Sequence, residues 1–154
     1  MSLMNIFDIS GSAMSAQSIR LSTTASNMAN GNSAARSAEE TYKARYPIFS
    51  AVQTRAQAAM QRGDFAANFA ESNFATDSGM SVQVLGIVES NRPLQPRYEP
   101  EHPLADDDGY VFYPDVNIVE EMTNMISSSR SFQMNVDVMN AARSMMQRVL
   151  SLGQ

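Results

Sequence analysis

The chain has 154 residues with 11 basic and 16 acidic side chains, which give a formal net charge of −5. This acidic balance argues against nucleic acid or an anionic membrane as a main partner, because both attract a concentrated basic surface. The chain has no cysteine and a single histidine, His102, which argues against disulfides and against a conventional zinc site.

The first predicted element is a helix over about residues 5–28. Large apolar residues recur every seven positions, and small residues stand four positions after them: Phe7, Met14, Leu21 and Met28, with Gly11, Ser18 and Ala25. This period is typical of a helix that packs closely against another. The start of the chain has neither a basic leader nor a long apolar run, so we expect no cleaved signal peptide. No stretch approaches the roughly 18 apolar residues of a membrane-spanning helix.

The middle of the chain, residues 32–114, is rich in proline and short of helical periodicity. Alternation of apolar and polar residues predicts strands over 42–48 and 81–90. The passage that follows, RPLQPRYEPEHP, is predicted to be loop or extended, DDDG at 106–109 a turn, and YVFY a short strand. We expect a helical turn or two from Ala51, and a family-atypical insert near 53–79.

The second long helix is predicted over about residues 116–152. Its apolar residues again recur every seven positions: Ile118, Met125, Phe132, Met139 and Met146. The positions four residues later are Met122, Ser129, Val136, Arg143 and Leu150. Ser129 and Arg143 interrupt this second row. They are either exposed positions where the helix leaves the seam, or polar contacts between subunits.

Together these elements predict a mainly α fold. Long N- and C-terminal helices pair as a coiled-coil-like core formed by residues 1–31 and 115–154, and a small loop-rich β segment, residues 32–114, lies between them. The second predicted helix, residues 116–152, would measure about 55 Å. A thin pair of helices buries little surface by itself. The pattern therefore favours a subunit of an assembly.

The sequence offers no catalytic arrangement. It has no glycine-rich phosphate loop, and DDDG lacks the ligand spacing of a calcium site. His102 has no recognisable nucleophile, and the pair Glu120 and Glu121 is expected to be a solvated first turn of the helix. The methionines follow the heptad, which favours packing over metal binding. We expect no enzyme activity, cofactor, metal or small-molecule substrate.

Three passages resemble the flagellar axial proteins, the family of rod, hook and hook-associated subunits. They are ASNMAN at 25–30 followed by TYKAR at 41–45, and NIVEEMTNMISSSRSFQMN at 117–135. Arg130, Phe132, Gln133 and Asn135 lie in the most distinctive part. Within the family, YEPEHPLADDDGYVFYPDVN at 98–117 is similar to a subunit of the proximal rod. The resemblance covers roughly two-thirds of the chain.

The resemblance implies a structural subunit of the bacterial flagellar proximal rod. Such a subunit polymerises through its terminal helices, with copies of itself and other rod proteins, into a hollow drive shaft in the periplasm that transmits torque and forms part of the export channel. It leaves the cell through the flagellar type III export apparatus without a cleaved signal. The alternatives are another rod or hook subunit, or a free-standing coiled-coil adaptor. A cell-wall-cleaving enzyme would need a paired acid and base, and none is found.

The resemblance also explains the stretch LSTTASNMAN, residues 21–30. Small residues and amides suit a helix surrounded by other helices. We expect Leu21, Ala25 and Met28 to face the partner helix, and Thr23, Ser26, Asn27 and Asn30 to meet neighbouring subunits or the loop that follows. The predicted packing and assembly residues are Phe7, Met14, Leu21, Ala25, Asn27, Met28, Asn30, Ile118, Met122, Met125, Arg130, Phe132, Gln133, Asn135, Val136, Met139, Met146 and Leu150.

Overall fold

The computed structural model describes residues 3–53 and 80–152. Along the chain, four strands follow the first long helix and precede the second. The elements are α1 (Leu3–Asn30), β1 (Arg45–Gln53), β2 (Met80–Glu89), β3 (Gln95–Tyr98), β4 (Tyr110–Tyr113) and α2 (Ile118–Leu152). The fold is mainly α with a small β segment between the helices, as predicted.

Both helices agree with prediction to within two residues at each end. The start of α2 is set by Asn117, whose side-chain Oδ1 accepts hydrogen bonds from the backbone N–H groups of Val119 at 3.0 Å and Glu120 at 3.3 Å. An asparagine in this position satisfies N–H groups that have no partner inside the helix. Helix α1 ends at Asn30, immediately before Gly31.

Strands β1 and β2 form a two-stranded sheet. The backbone N–H of Ser90 donates to the carbonyl of Ala44 at 2.8 Å, and the hydroxyl of Ser81 donates to the carbonyl of Val52 at 3.3 Å. The start of β1 therefore lies beside the end of β2, and the end of β1 lies beside the start of β2, so the pair is antiparallel. The predicted strand over 81–90 is confirmed, whereas β1 begins three residues later than position 42.

The helical turn predicted from Ala51 is wrong at its first residues, because Ala51–Gln53 continue β1. A β-branched valine and the cross-strand hydrogen bond of Val52 favour the extended backbone there. The rest of that turn, and nearly all of the insert expected near 53–79, lie outside the described residues.

Strands β3 and β4 form a second antiparallel pair, in which Tyr98 lies opposite Tyr110. The predicted turn between them is confirmed, with the backbone N–H of Gly109 donating to the carbonyl of Asp106 at 2.9 Å. Gly109 adopts a φ of 82°, a left-handed conformation that favours glycine. The proline-rich passage is thus partly a strand, an outcome that its extended prediction allowed.

The chain divides into two compact units. Unit 1 comprises Met1–Gln17, Phe49–Leu85 and Arg130–Gln154. Unit 2 comprises Ser18–Ile48 and Gly86–Ser129. Each unit thus combines one part of α1 with one part of α2.

Among residues 3–53 and 80–152, few side chains are buried, and most of those are small. The buried apolar residues among those described are Ala16, Ala44, Val111 and Ala142, and the buried polar ones are Ser10, Thr23, Thr24, Asn27, Thr41, Glu121 and Ser128. A chain that buries mostly small and polar groups gains little from the hydrophobic effect. Neither described helix combines the length and apolar character that crossing a membrane requires.

Candidate functional site

One face of α2 packs inside each unit. The heptad residues predicted from sequence are all half-buried there: Ile118, Met125, Phe132, Met139 and Met146. The fully buried positions of α2 lie three residues after Ile118, Met125 and Met139. Glu121, Ser128 and Ala142 are 2%, 0% and 1% exposed. Of the other two positions with this spacing, Asn135 is half-buried and Val149 is exposed. Ser128 and Ala142 have short side chains, whereas Glu121 is long and accepts a hydrogen bond from Asn27.

The row predicted four residues after the heptad does not form this seam. Met122 and Leu150 are 51% and 67% exposed, and Ser129 and Arg143 are exposed as well. Only Val136 is half-buried. Positions three and four residues after a heptad residue lie on opposite sides of it. After Ile118, Met125 and Met139, the position three residues on is the buried one. That the residues four positions after the heptad contact neighbouring subunits stays a prediction.

On α1 the large heptad residues are also half-buried: Phe7, Met14, Leu21 and Met28. Ala25, expected to face the partner helix, is exposed. Thr23, expected to meet a neighbouring subunit or the following loop, is buried. The Thr23 hydroxyl donates to backbone carbonyls of its own helix, so this polar group is hydrogen-bonded although it is buried. Asn30 is half-buried and its Nδ2 donates to the Ser26 carbonyl at 2.8 Å.

The remaining predicted residues lie in the middle of α2. Arg130 and Gln133 are exposed, and the Gln133 amide donates to Asp137 at 3.3 Å. Asn135 is half-buried and donates to the Ser131 carbonyl at 2.8 Å. Their roles as contacts between subunits stay predictions.

Unit 2 contains a group of linked polar side chains, which we call the polar junction: Asn27, Tyr42, Arg45, Tyr46 and Glu121. Asn27 is fully buried at its centre. Its Nδ2 donates to the Arg45 carbonyl at 2.9 Å and to Glu121 Oε2 at 3.3 Å. Its Oδ1 accepts from the Tyr42 hydroxyl at 2.9 Å and the Arg45 N–H at 2.8 Å. The carboxamide thereby uses all four of its hydrogen-bonding positions.

The junction joins three parts of the chain in unit 2. Asn27 lies near the end of α1, Arg45 begins β1, and Glu121 lies in the first turn of α2. Gly31 allows the close approach beside it, because a Cβ at this position would lie 3.4 Å from Ile118 Cγ1 and 3.3 Å from the Asn27 carbonyl oxygen. The polar contacts therefore fix the exit of α1 against the entry of α2.

Burial raises the pKa of the Tyr42 hydroxyl above its ordinary value of 10.0; Arg45 opposes this shift and Glu121 adds to it. Burial also raises the pKa of Tyr46, with Glu121 adding to the shift through its charge and through a hydrogen bond. The raised pKa values favour the neutral form of both tyrosines, in which the hydroxyl donates a hydrogen bond to its partner. Arg45 also forms an ion pair with Glu89 at 3.1 Å, in which both side chains are exposed to solvent.

The expectation that Glu121 is solvated is wrong. Glu120 is exposed, but Glu121 faces inward and finds partners in the Asn27 amide and the Tyr46 hydroxyl. A carboxylate is tolerated in a buried position when such donors satisfy it. The period of seven places Glu121 beside Ile118 but does not tell which side of the heptad packs inward, so it gave no signal for this burial.

The chemistry of the junction is structural. Its groups hold one another by hydrogen bonds, and the described residues contain no cluster of His, Cys, Asp or Glu suited to a metal ion. Hydrogen bonds of this kind orient chain segments and specify one packing arrangement.

Comparisons with known proteins agree with this structural role. Residues 7–35 match the family model described as flagella basal body rod protein, and residues 107–152 match that of the flagellar basal body rod FlgEFG protein C-terminal. The chain is 41% identical to the flagellar basal-body rod protein FlgC of Salmonella typhimurium, with all of both chains covered. It is 42% identical to that of Escherichia coli O157:H7, again over both full chains.

A more distant relative is similar over the same span. The FlgC of Borreliella burgdorferi is 30% identical, with 100% of this chain and 99% of the relative covered. The prediction of a structural, non-enzymatic rod subunit is thereby confirmed. The chain belongs to the FlgC family of flagellar basal-body rod proteins and is a structural subunit of the flagellar rod.

Proposed function

We propose that this subunit lies in the proximal rod and polymerises there through its terminal helices, with copies of itself and with other rod proteins. The polymer is a hollow shaft that transmits torque and forms part of the export channel. Membership of the rod family supports this role, and so does one observation on α2, the large apolar surface that it leaves exposed.

That surface is an outer stripe on the part of α2 in unit 1, formed by Met134, Val138, Met145 and Val149. These side chains are 65%, 48%, 52% and 63% exposed. Their spacings of four, seven and four residues place them on one side of a helix. A contiguous apolar face of this kind is typical of a protein–protein contact. Covering it in a polymer gains about 0.8 kcal/mol for each buried methylene.

The small buried core fits the same role. In the described part of the chain, the buried side chains are chiefly those of alanine, serine and threonine, so the isolated chain gains much of its stability only on assembly. Low stability outside the rod also suits passage through a narrow export apparatus in unfolded form. We infer that the chain takes the flagellar type III route to the periplasm without cleavage of its start.

The decisive experiment tests the outer stripe in a strain that lacks this chain. A double variant, Met134→Glu with Val138→Glu, should abolish rod formation, since two carboxylates cannot be buried in an apolar contact. The matched control is Asn140→Glu with Ser144→Glu, which adds the same charges at the same spacing on exposed positions of the same helix. Normal rods in the stripe variant would contradict the proposal.

Electron microscopy of basal bodies from the same strain separates proximal from distal placement. Without the chain, we expect the membrane ring to remain and no rod, hook or filament to follow. A truncated rod would instead place the subunit further out, and complete flagella would contradict a required role. Mass spectrometry of the chain from purified basal bodies should show an uncleaved start.

A further inference from the structure

The β3–β4 hairpin exposes a second surface, which we call the acidic tyrosine patch: Tyr98, Tyr110, Leu104, Glu101, Asp107 and Asp108. Tyr98 and Tyr110 lie opposite each other in the strand register and on the same face. Their rings meet edge to face with centroids 5.4 Å apart, yet they remain 66% and 44% exposed. Two large aromatic side chains in water at a rigid position indicate a contact surface.

The loop that connects the two tyrosines is acidic. Residues 99–108 contain five acidic side chains and no lysine or arginine. The loop is held at the tyrosine end of the hairpin, because the Glu99 N–H donates to the Gly109 carbonyl at 3.0 Å and the Asp106 N–H donates to the Tyr110 carbonyl at 2.8 Å. Arg36 reaches Asp107 at 3.4 Å, but both side chains are largely exposed, so this pair neutralises the loop only weakly.

This chemistry selects the kind of surface that fits the patch. Two patches facing each other would bring like charges together, which argues against a symmetric contact. An arginine beside apolar side chains suits it better, because a guanidinium pairs with carboxylates and also stacks on tyrosine rings. The complementary surface is therefore apolar and basic.

The last turns of α2 carry such a surface. Residues 138–152 contain Arg143 and Arg148 and no acidic side chain. Arg148 is exposed and follows Met145 by three residues, so it lies beside the end of the outer stripe formed by Met145 and Val149. Positive charge and exposed apolar area thus occur together on one face of one helix.

We propose that the acidic tyrosine patch of one copy of this chain binds the end of the outer stripe on a second copy, with Arg148 of the second copy against the Tyr98 and Tyr110 rings and the Asp108 carboxylate. The inference rests on the proposed function, and it names a partner surface for that stripe. Because two different surfaces meet, the contact is heterologous and propagates into a ring or a helix. A subunit of a rod requires a contact of this type.

A charge swap tests the pairing in the complemented strain. Asp108→Arg and Arg148→Glu should each lower the number of rods about tenfold, which corresponds to roughly 1.4 kcal/mol. The two changes in one chain should restore the number to near the original, because opposite charges face each other again. Glu39→Arg, an equal charge change on an exposed residue outside the patch, should leave it unchanged.

A cross-link gives an independent measurement, since the chain has no cysteine of its own. Two copies with different tags carry Asp108→Cys and Arg148→Cys, and assembled rods are oxidised before a non-reducing gel. A dimer containing both tags is expected, and Glu39→Cys with Arg148→Cys should give none. Dimers between Arg148→Cys and Ser22→Cys alone, on the exposed side of α1, would overturn the pairing.

The outcomes separate the two proposals. If the Met134→Glu and Val138→Glu variant still builds rods, assembly through the outer stripe is wrong. If rods need the stripe, but the charge swap is not restored and no dimer with both tags forms, only the patch is wrong.

Discussion

Asn27 Nδ2 lies 3.3 Å from Glu121 Oε2, a contact between two buried side chains that stand 94 positions apart in the chain. It joins the end of α1 to the start of α2 inside one unit. Because both groups are shielded from water, each must find its hydrogen-bond partners within the protein. A contact with such a long sequence separation forms only when both helix ends are in place.

Replacement of Asn27 tests this dependence. Asn27→Ala removes four hydrogen bonds and leaves the Glu121 carboxylate and the Arg45 N–H short of partners. We expect the free energy of unfolding to fall by about 3 kcal/mol, since each buried unsatisfied group costs about 1–3 kcal/mol. Urea unfolding followed by circular dichroism measures the loss. Asn30→Ala, which removes one bond within α1, should lower it by less than about 1 kcal/mol.

The adjacent glutamates provide a matched pair. Glu121→Ala should lower the free energy of unfolding by about 2 kcal/mol, because the Asn27 amide and the Tyr46 hydroxyl lose a buried acceptor. Glu120→Ala, one residue away and exposed, should change it by less than about 0.5 kcal/mol. Equal effects at the two positions would contradict the buried placement of Glu121. The same urea titration measures both.

The tyrosines of the junction predict a dependence on alkaline pH. The pKa values of Tyr42 and Tyr46 are raised in the folded chain above the ordinary value of 10.0, chiefly by burial. The unfolded chain therefore releases these protons first. The stability that this shift contributes is present below pH 10 and is lost as the pH rises through the folded pKa values.

Unfolding measured between pH 8 and pH 12 should thus show a decline that begins above about pH 10. In the double variant Tyr42→Phe with Tyr46→Phe, the decline should be shallower, although the variant starts from a lower stability because the hydrogen bond to Asn27 is gone. Tyr98→Phe is the control, because its hydroxyl is in an exposed side chain. An unchanged slope in the double variant would exclude these two hydroxyls as the cause.

The sequence predicts the long elements because their signals are local and repeated. The period of seven over Ile118, Met125 and Met139 is sufficient to locate α2, and the alternation of apolar residues is sufficient to locate β2. The side of the heptad that packs inward was not predictable from the period. Positions three and four residues on both lie near the seam, and which of them is buried depends on the packing of the folded unit, as at Ser128 and Ala142.

The polar junction was only partly predictable for the same reason. Asn27 belongs to a motif that the family resemblance identifies, and a meeting with the following loop was expected. Its bond to Glu121 needed the fold, because two helix ends 94 residues apart have no local signal that brings them together. Glutamate side chains are rarely fully buried, so the sequence alone favoured a solvated position for Glu121.

The last prediction concerns two glycines in different backbone environments, Gly109 in the β3–β4 turn and Gly11 inside α1. At Gly109 the backbone φ is 82°, and an added Cβ would lie 2.9 Å from Tyr98 Cε2. Gly109→Ala should therefore speed hydrogen exchange at the β3–β4 amides and lower the free energy of unfolding by about 1–2 kcal/mol. At Gly11, inside α1, a Cβ would meet nothing within 4 Å. Gly11→Ala should raise the stability of the isolated chain by about 0.5–1 kcal/mol, because alanine loses less backbone entropy in a helix. A loss of stability at Gly11, or none at Gly109, would contradict this assignment of the two backbone environments.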